Sequence, residues 1–171
     1  MFEETFRKND SLLLREAEYY FHQAYQFQMS GRIQDAIEHY RKSIDVFPTS
    51  EAHTFLGWAM SFEGDITGAI AECETAISLD PDFGNPYNDI GAYLMNLQRF
   101  DEAAQWFERA KEAKRYEARH YPYFNLGRIK EKQGDWVGAY HEYKKALELY
   151  PDYESAKESL HRVNSLLSRR N

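Results

Sequence analysis

Residues 85–91 read NPYNDIG, and the outline returns as YPYFNLG at 121–127 and more loosely as EAHTFLG at 51–57. Each copy sets a large apolar residue directly before glycine. The small residues Ala24, Gly57, Gly91 and Gly127 stand 33, 34 and 36 positions apart. Three further ladders keep the same spacings: Ala36, Ala69, Ala103 and Ala139; Ser43, Ala76, Ala110 and Ala146; and Ile33, Ile66, Phe100 and Trp136. Distances inside a unit are constant, so the variation in length lies between units. Self-similarity at this period is the signature of a repeat architecture.

Each unit reads as two helices. The first carries apolar residues at helical spacing, as in Tyr87, Ile90, Gly91 and Leu94. A turn follows at Gly31, Gly64 and Gly134, where a residue without Cβ can take the left-handed conformation that ends a helix. Asp65 and Asp135 come next, with side-chain oxygens suited to cap the second helix. That helix presents Ile70, Cys73, Ala76 and Ile77 on one face and stops before Pro81, as its counterparts stop before Pro48 and Pro151. The recurring small residue belongs where the paired helices cross, because a bulky side chain there would hold the backbones apart.

This pattern resembles the tetratricopeptide repeat family. That family has a large residue, then a large–small pair, an aromatic, a turn, and Ala, aromatic, Ala and Pro. In the last unit these are Tyr123, Leu126–Gly127, Gly134, Ala139, Tyr143, Ala146 and Pro151. In the second they are Leu56–Gly57, Met60, Gly64, Ala69, Cys73, Ala76 and Pro81. The likeness runs from about residue 17 to 153. It departs at Arg115, which stands where the third unit should have its closing proline, and in two extra residues in the same link. It departs again at Lys130, where the family has an apolar or aromatic residue. Gly68 and Gly138 should each weaken their helices by about 1 kcal/mol relative to Ala.

The resemblance implies an all-α fold, a right-handed α-solenoid of four helix pairs with a C-terminal capping helix. The expected units are 17–49, 50–83, 84–119 and 120–153. Residues 1–16 extend the first helix, and 154–171 supply the capping helix and tail. Tyr153, Ala156, Leu160, Val163 and Leu167 share one face of that last helix, which would cover the apolar end of the stack. Phe2 and Phe6 have no obvious place in this scheme.

In the family the first helix of each pair lines a concave face that holds a partner segment. Carried over residue by residue, that face comprises Phe21, His22, Tyr25 and Gln28, then Thr54, Phe55, Trp58 and Phe62. The third unit adds Asn85, Asn88, Asp89 and Asn96, and the fourth Tyr121, Phe124, Asn125, Arg128 and Lys132. The groove should be aromatic at one end and polar at the other. Phe21, Phe55 and Phe62 read equally well as core. Trp58 and Tyr25 are the stronger contact candidates, because large amphipathic rings gather at interface hot spots. Asn88 and Asn125 could each give a donor and an acceptor to a peptide backbone. Arg128 could pair with a partner's carboxylate, although an internal pair with Asp89 or Glu131 is favoured.

One subclass of the family grips the C-terminal tail of heat-shock chaperones with a cluster of Lys, Arg and Asn. Neither register of this sequence supplies that cluster, so this tail is not the expected ligand. The net charge of −7 argues against nucleic acid as a partner, since phosphate neutralisation needs clustered cations. No apolar run approaches the length of a membrane helix. The single cysteine, Cys73, excludes an internal disulfide framework and fits a reducing compartment, so a cytoplasmic location is expected.

Six histidines are present, none paired at the three- or four-residue spacing of a helical metal site. No phosphate loop or nucleophile elbow is visible, so neither catalytic residues, a metal nor a cofactor is expected. Lys111, Lys114, Arg115 and Arg119 surround the longer link and read as a solvated turn near a helix C-terminus, with a local contact for an acidic partner segment as the alternative. The expected function is protein–protein interaction, as an adaptor, assembly factor or chaperone-like module holding a partner segment in the groove. The alternative is a self-assembling structural protein, in which Phe2 and Phe6 or the terminal helix dock on a second copy to give a homodimer or larger oligomer.

Overall fold

The computed structural model describes residues 2–169, with side chains from residue 10 onward. The side chains of Phe2 and Phe6, and the last two residues of the expected tail, lie outside this range. The described residues form helices α1 (Phe2–Met29), α2 (Ile33–Val46), α3 (Ser50–Phe62), α4 (Ile66–Leu79) and α5 (Asn85–Asn96). They continue as α6 (Phe100–Glu112), α7 (His120–Lys132), α8 (Trp136–Leu149) and α9 (Glu154–Ser168). The chain is all-α and built of helix pairs. Two compact units contain them: α1 to α4 in Met1–Pro81, and α5 to α9 in Asp82–Asn171.

The turn inside each pair has one geometry. The amides of Arg32, Asp65, Arg99 and Asp135 each donate to the carbonyl five residues back, at 2.9, 3.1, 2.9 and 2.9 Å. This is the bond that closes a helix after a left-handed residue. Gly31, Gly64 and Gly134 supply that residue with φ of 78°, 84° and 76°. In the third pair Gln98 takes it, at φ 60°, despite its Cβ. The sequence offered no glycine there, yet the closing bonds form all the same.

Asp65 and Asp135 cap α4 and α8, accepting from the amides of Gly68 and Gly138 at 2.9 and 2.8 Å. A Cβ on either glycine would collide with the capping carboxylate, which explains two residues that otherwise weaken their helices. At the corresponding positions Arg32 and Arg99 instead pair with Asp35 and Glu102 one turn on.

The crossing glycines meet what the repeat demands. Gly91 lies on the ring of Phe107 and Gly127 on the ring of Tyr143, both fully buried. At Gly57 the nearest neighbour is backbone, the carbonyl oxygen of Ala69, because Cys73 stands where the other pairs have a ring. In the second unit α9 packs on α8, laying Val163 on Ala139 and Tyr143 with Leu160 and Leu167 alongside.

The cations around the link from α6 to α7 have structural work. Arg119 donates to the carbonyls of Lys111, Ala113 and Lys114 at 3.2, 2.8 and 3.0 Å, closing the end of α6. Lys111 pairs with Glu142, Lys114 with Asp82, and the Arg115 guanidinium lies 4.2 Å from the centre of the Phe83 ring. An isolated parallel bridge joins Phe83 to Arg115, and the buried Tyr116 ring covers Gly84. The two extra residues therefore build a tied strap in place of the missing proline. Lys130, the other departure, reaches Glu142 at 3.2 Å.

Candidate functional site

The first unit carries a row of aromatic rings on α1 and α3. Ring centres lie 5.1 Å apart for Phe21 and Phe55, 5.9 Å for Tyr25 and Phe55, and 5.7 Å for Phe55 and Trp58. Trp58 to Phe62 is again 5.7 Å. Residues 21, 25, 55, 58 and 62 recur at helical spacing, so their rings share a face; the contacts are edge to face except for the tilted pair Trp58 and Phe62. Phe21 and Phe55 form the root, both against the buried Tyr40. Tyr25 and Phe62 form the outer rim, 41% and 60% exposed, with Trp58 between.

Burial, and then the neighbouring Tyr25, push the Tyr40 hydroxyl above the ordinary tyrosine range, and it donates to Gln28 Oε1 at 2.8 Å. Gln28 and Thr54 are buried and do not line the expected face. Thr54 bonds back to the Ser50 carbonyl of its own helix.

In the second unit the polar residues of α5 and α7 sit differently from one another. Tyr121 is 41% exposed and stacks on His120, whose pKa burial lowers. Asn125 is buried and accepts through Oδ1 from Arg128 at 3.3 Å. The expected internal ion pair of Arg128 with Asp89 or Glu131 is not formed among the described residues. Glu131 is occupied instead by Arg162 at 2.7 Å and by the Tyr143 hydroxyl. Arg162 belongs to α9 and lies 31 residues away in sequence, so no local pattern announced it.

Asp89 is partly exposed as a residue, but enough protein surrounds its carboxyl that burial raises the pKa to about 7 from 3.8. A hydrogen bond from Asn88 opposes the rise without cancelling it. The Asn88 Oδ1 atom is itself buried without a donor among the described residues. A carboxyl raised in the folded state stabilises the fold below its unfolded pKa, and that contribution is lost as pH rises through 7. Asp89→Asn should therefore stabilise the chain at pH 8 by on the order of 1–2 kcal/mol, and little at pH 4. A fully dry carboxyl with this pKa would imply roughly 4 kcal/mol, and the partial exposure of Asp89 reduces it. Urea unfolding at both pH values checks this; parallel losses or gains at the two would refute it.

Three models of the family described as tetratricopeptide repeat match the chain, over residues 18–50, 62–118 and 120–153. Each matched stretch contains a member of all four ladders and at least one of the left-handed turns. The chain belongs to the tetratricopeptide repeat family.

Solved tetratricopeptide-like structures share its fold. Pseudomonas aeruginosa PilF is 23% identical with a TM-score of 0.83, over 92% of this chain and 71% of PilF. PilW, described as a widely conserved type IV pilus biogenesis factor, is 19% identical with a TM-score of 0.78, over 88% of this chain and 69% of PilW. MamA is 20% identical with a TM-score of 0.70, over 87% of this chain and 81% of MamA. No curated protein matches the chain. Identities this low establish shared architecture and nothing finer. As a repeat protein of this family the chain is a protein-interaction or scaffold module.

Proposed function

We propose that this chain is an adaptor or assembly factor that holds a segment of another protein against the aromatic face of α1 and α3. The observation that carries this reading is the unbroken row from Phe21 to Phe62, rooted in the core and open at Tyr25 and Phe62. Large rings standing in water cost free energy that a partner's apolar side chains would recover, at about 25 cal/mol per Å². Rings held by edge-to-face contacts also lose little freedom on binding. That structures similar in fold include a pilus biogenesis factor and a chain of the Cut9–Hcn1 hetero-tetramer is consistent with such a role.

A partner recovered by pull-down and identified by mass spectrometry supplies the ligand for titration calorimetry. Tyr25→Ala with Trp58→Ala should weaken its affinity at least tenfold while circular dichroism stays helical. Unchanged affinity in the double variant would remove this assignment. The self-assembly reading draws on α1, where Leu12 and Tyr19 are 56% and 60% exposed. A mass that rises with concentration in light scattering would favour it over the adaptor.

A further inference from the structure

In the second unit, α7 and α9 border a shallow, open depression of about 340 Å³ lined by Phe124, Arg128, Glu131, Lys132, Ser159 and Arg162. Three of the six are cations, in a chain whose net charge is −7. The single carboxylate, Glu131, is already committed: it accepts from Arg162 Nε and Nη2, at 3.2 and 2.7 Å, and from the Tyr143 hydroxyl. Burial would raise its pKa, but the hydrogen bonds from Arg162 and Tyr143 and the charges of Arg162 and Arg128 outweigh burial and hold it below the usual range. Glu131 thus stays ionised, pairs directly with Arg162 and feels the charge of Arg128 from further off.

Neither Arg128 nor Lys132 makes a direct ion pair among the described residues. Arg128 is aimed by its bond to Asn125, with its guanidinium 5.9 Å from the Phe124 ring centre, and Lys132 lies 5.4 Å from that of Phe100. Four residues apart on α7, the two project from one face about a turn apart. Two cations one turn apart beside the Phe124 ring suit a pair of carboxylates flanking an apolar side chain. A cation held by a neutral amide keeps its full charge for such a ligand.

We infer that this depression receives an acidic segment of the partner protein, with Arg128 and Lys132 binding side-chain carboxylates and Phe124 the apolar residue between them. The inference rests on the reading that the chain binds another protein, but uses a surface separate from the aromatic row. The probe is the acetylated, amidated pentapeptide Glu-Glu-Leu-Glu-Glu, titrated into the ¹⁵N-labelled full chain and followed by NMR. The amides of residues 128, 132 and 159–162 should shift, and the apparent Kd should rise at least threefold between 50 and 200 mM NaCl.

Arg128→Ala with Lys132→Ala should weaken binding at least tenfold, whereas Arg41→Ala with Lys42→Ala, exposed on α2, should not change it. The all-glutamine peptide should not bind. Shifts confined elsewhere, equal binding by the Arg128 and Lys132 double variant, or binding by the glutamine peptide would overturn the inference. So would competition by inorganic phosphate as strong as that of the acidic peptide, which would mark a small-anion site. The Tyr25 and Trp58 double variant should bind the pentapeptide normally, so failure of either surface is read independently of the other.

Discussion

Tyr143→Ala is expected to cost the second unit about 3–5 kcal/mol, the range for removing a large buried ring. The ring has no exposed surface, covers Gly127, and packs against Ala139, Val163 and Phe124. Truncation would open a hole where α7, α8 and α9 meet and take a hydrogen bond from Glu131. Tyr143→Phe keeps the ring and removes only that bond, so its cost should be about 1.5–3 kcal/mol, the worth of a hydrogen bond to a charged group. The gap between the two variants measures packing against polarity. Urea unfolding followed by circular dichroism and by tryptophan fluorescence reads both. A loss under about 1 kcal/mol for Tyr143→Ala would mean that α9 does not depend on this ring.

Gly57→Ala sets two effects of opposite sign against each other. Alanine is the better helix former by about 1 kcal/mol, which alone would stabilise α3. Its Cβ, however, would lie 2.8 Å from the Ala69 carbonyl oxygen and 3.3 Å from Cys73 Sγ. The first of these is backbone and can move only if α4 moves. Overpacking of this kind costs about 1–3 kcal/mol or more, so the net effect should be a loss, and a larger one for Gly57→Val. Gly134→Ala is the comparison: nothing lies within 4 Å, and only its φ of 76° resists a side chain. Its cost should be about 1 kcal/mol, with the helix crossing undisturbed. A thermal melt of the three variants orders them; Gly57→Ala melting above the unsubstituted chain would show that the helices can separate at no cost.

Much of this molecule is written locally. The turn glycines, the capping aspartates, the prolines after α2, α4 and α8, and the apolar stripe of α9 each act within one helical turn or one repeat. Their spacing therefore declared the helix pairs, and the equal ladders declared how often the pair recurs. The aromatic row on α1 and α3 was legible too, since rings at helical spacing on matching helices must share a face. What the pattern left open was which of those rings stand in water. That depends on how deep Tyr40 and Phe55 are set, a matter of packing between helices.

Other features came only with the tertiary structure. Gln98 adopts a left-handed backbone because the closing bonds of its turn are strong enough to impose it on a residue with a Cβ. Arg119, one of a cluster that reads as solvated charge, spends its guanidinium on three carbonyls at the end of α6. Arg128 donates to Asn125, while Glu131 is held by Arg162, 31 residues further on. Sequence alone determined the repeating pair, because a helix and its turn are settled by neighbours along the chain. Only the folded structure decided which charges are neutralised, because an ion pair is chosen by distance in space among all the carboxylates within reach.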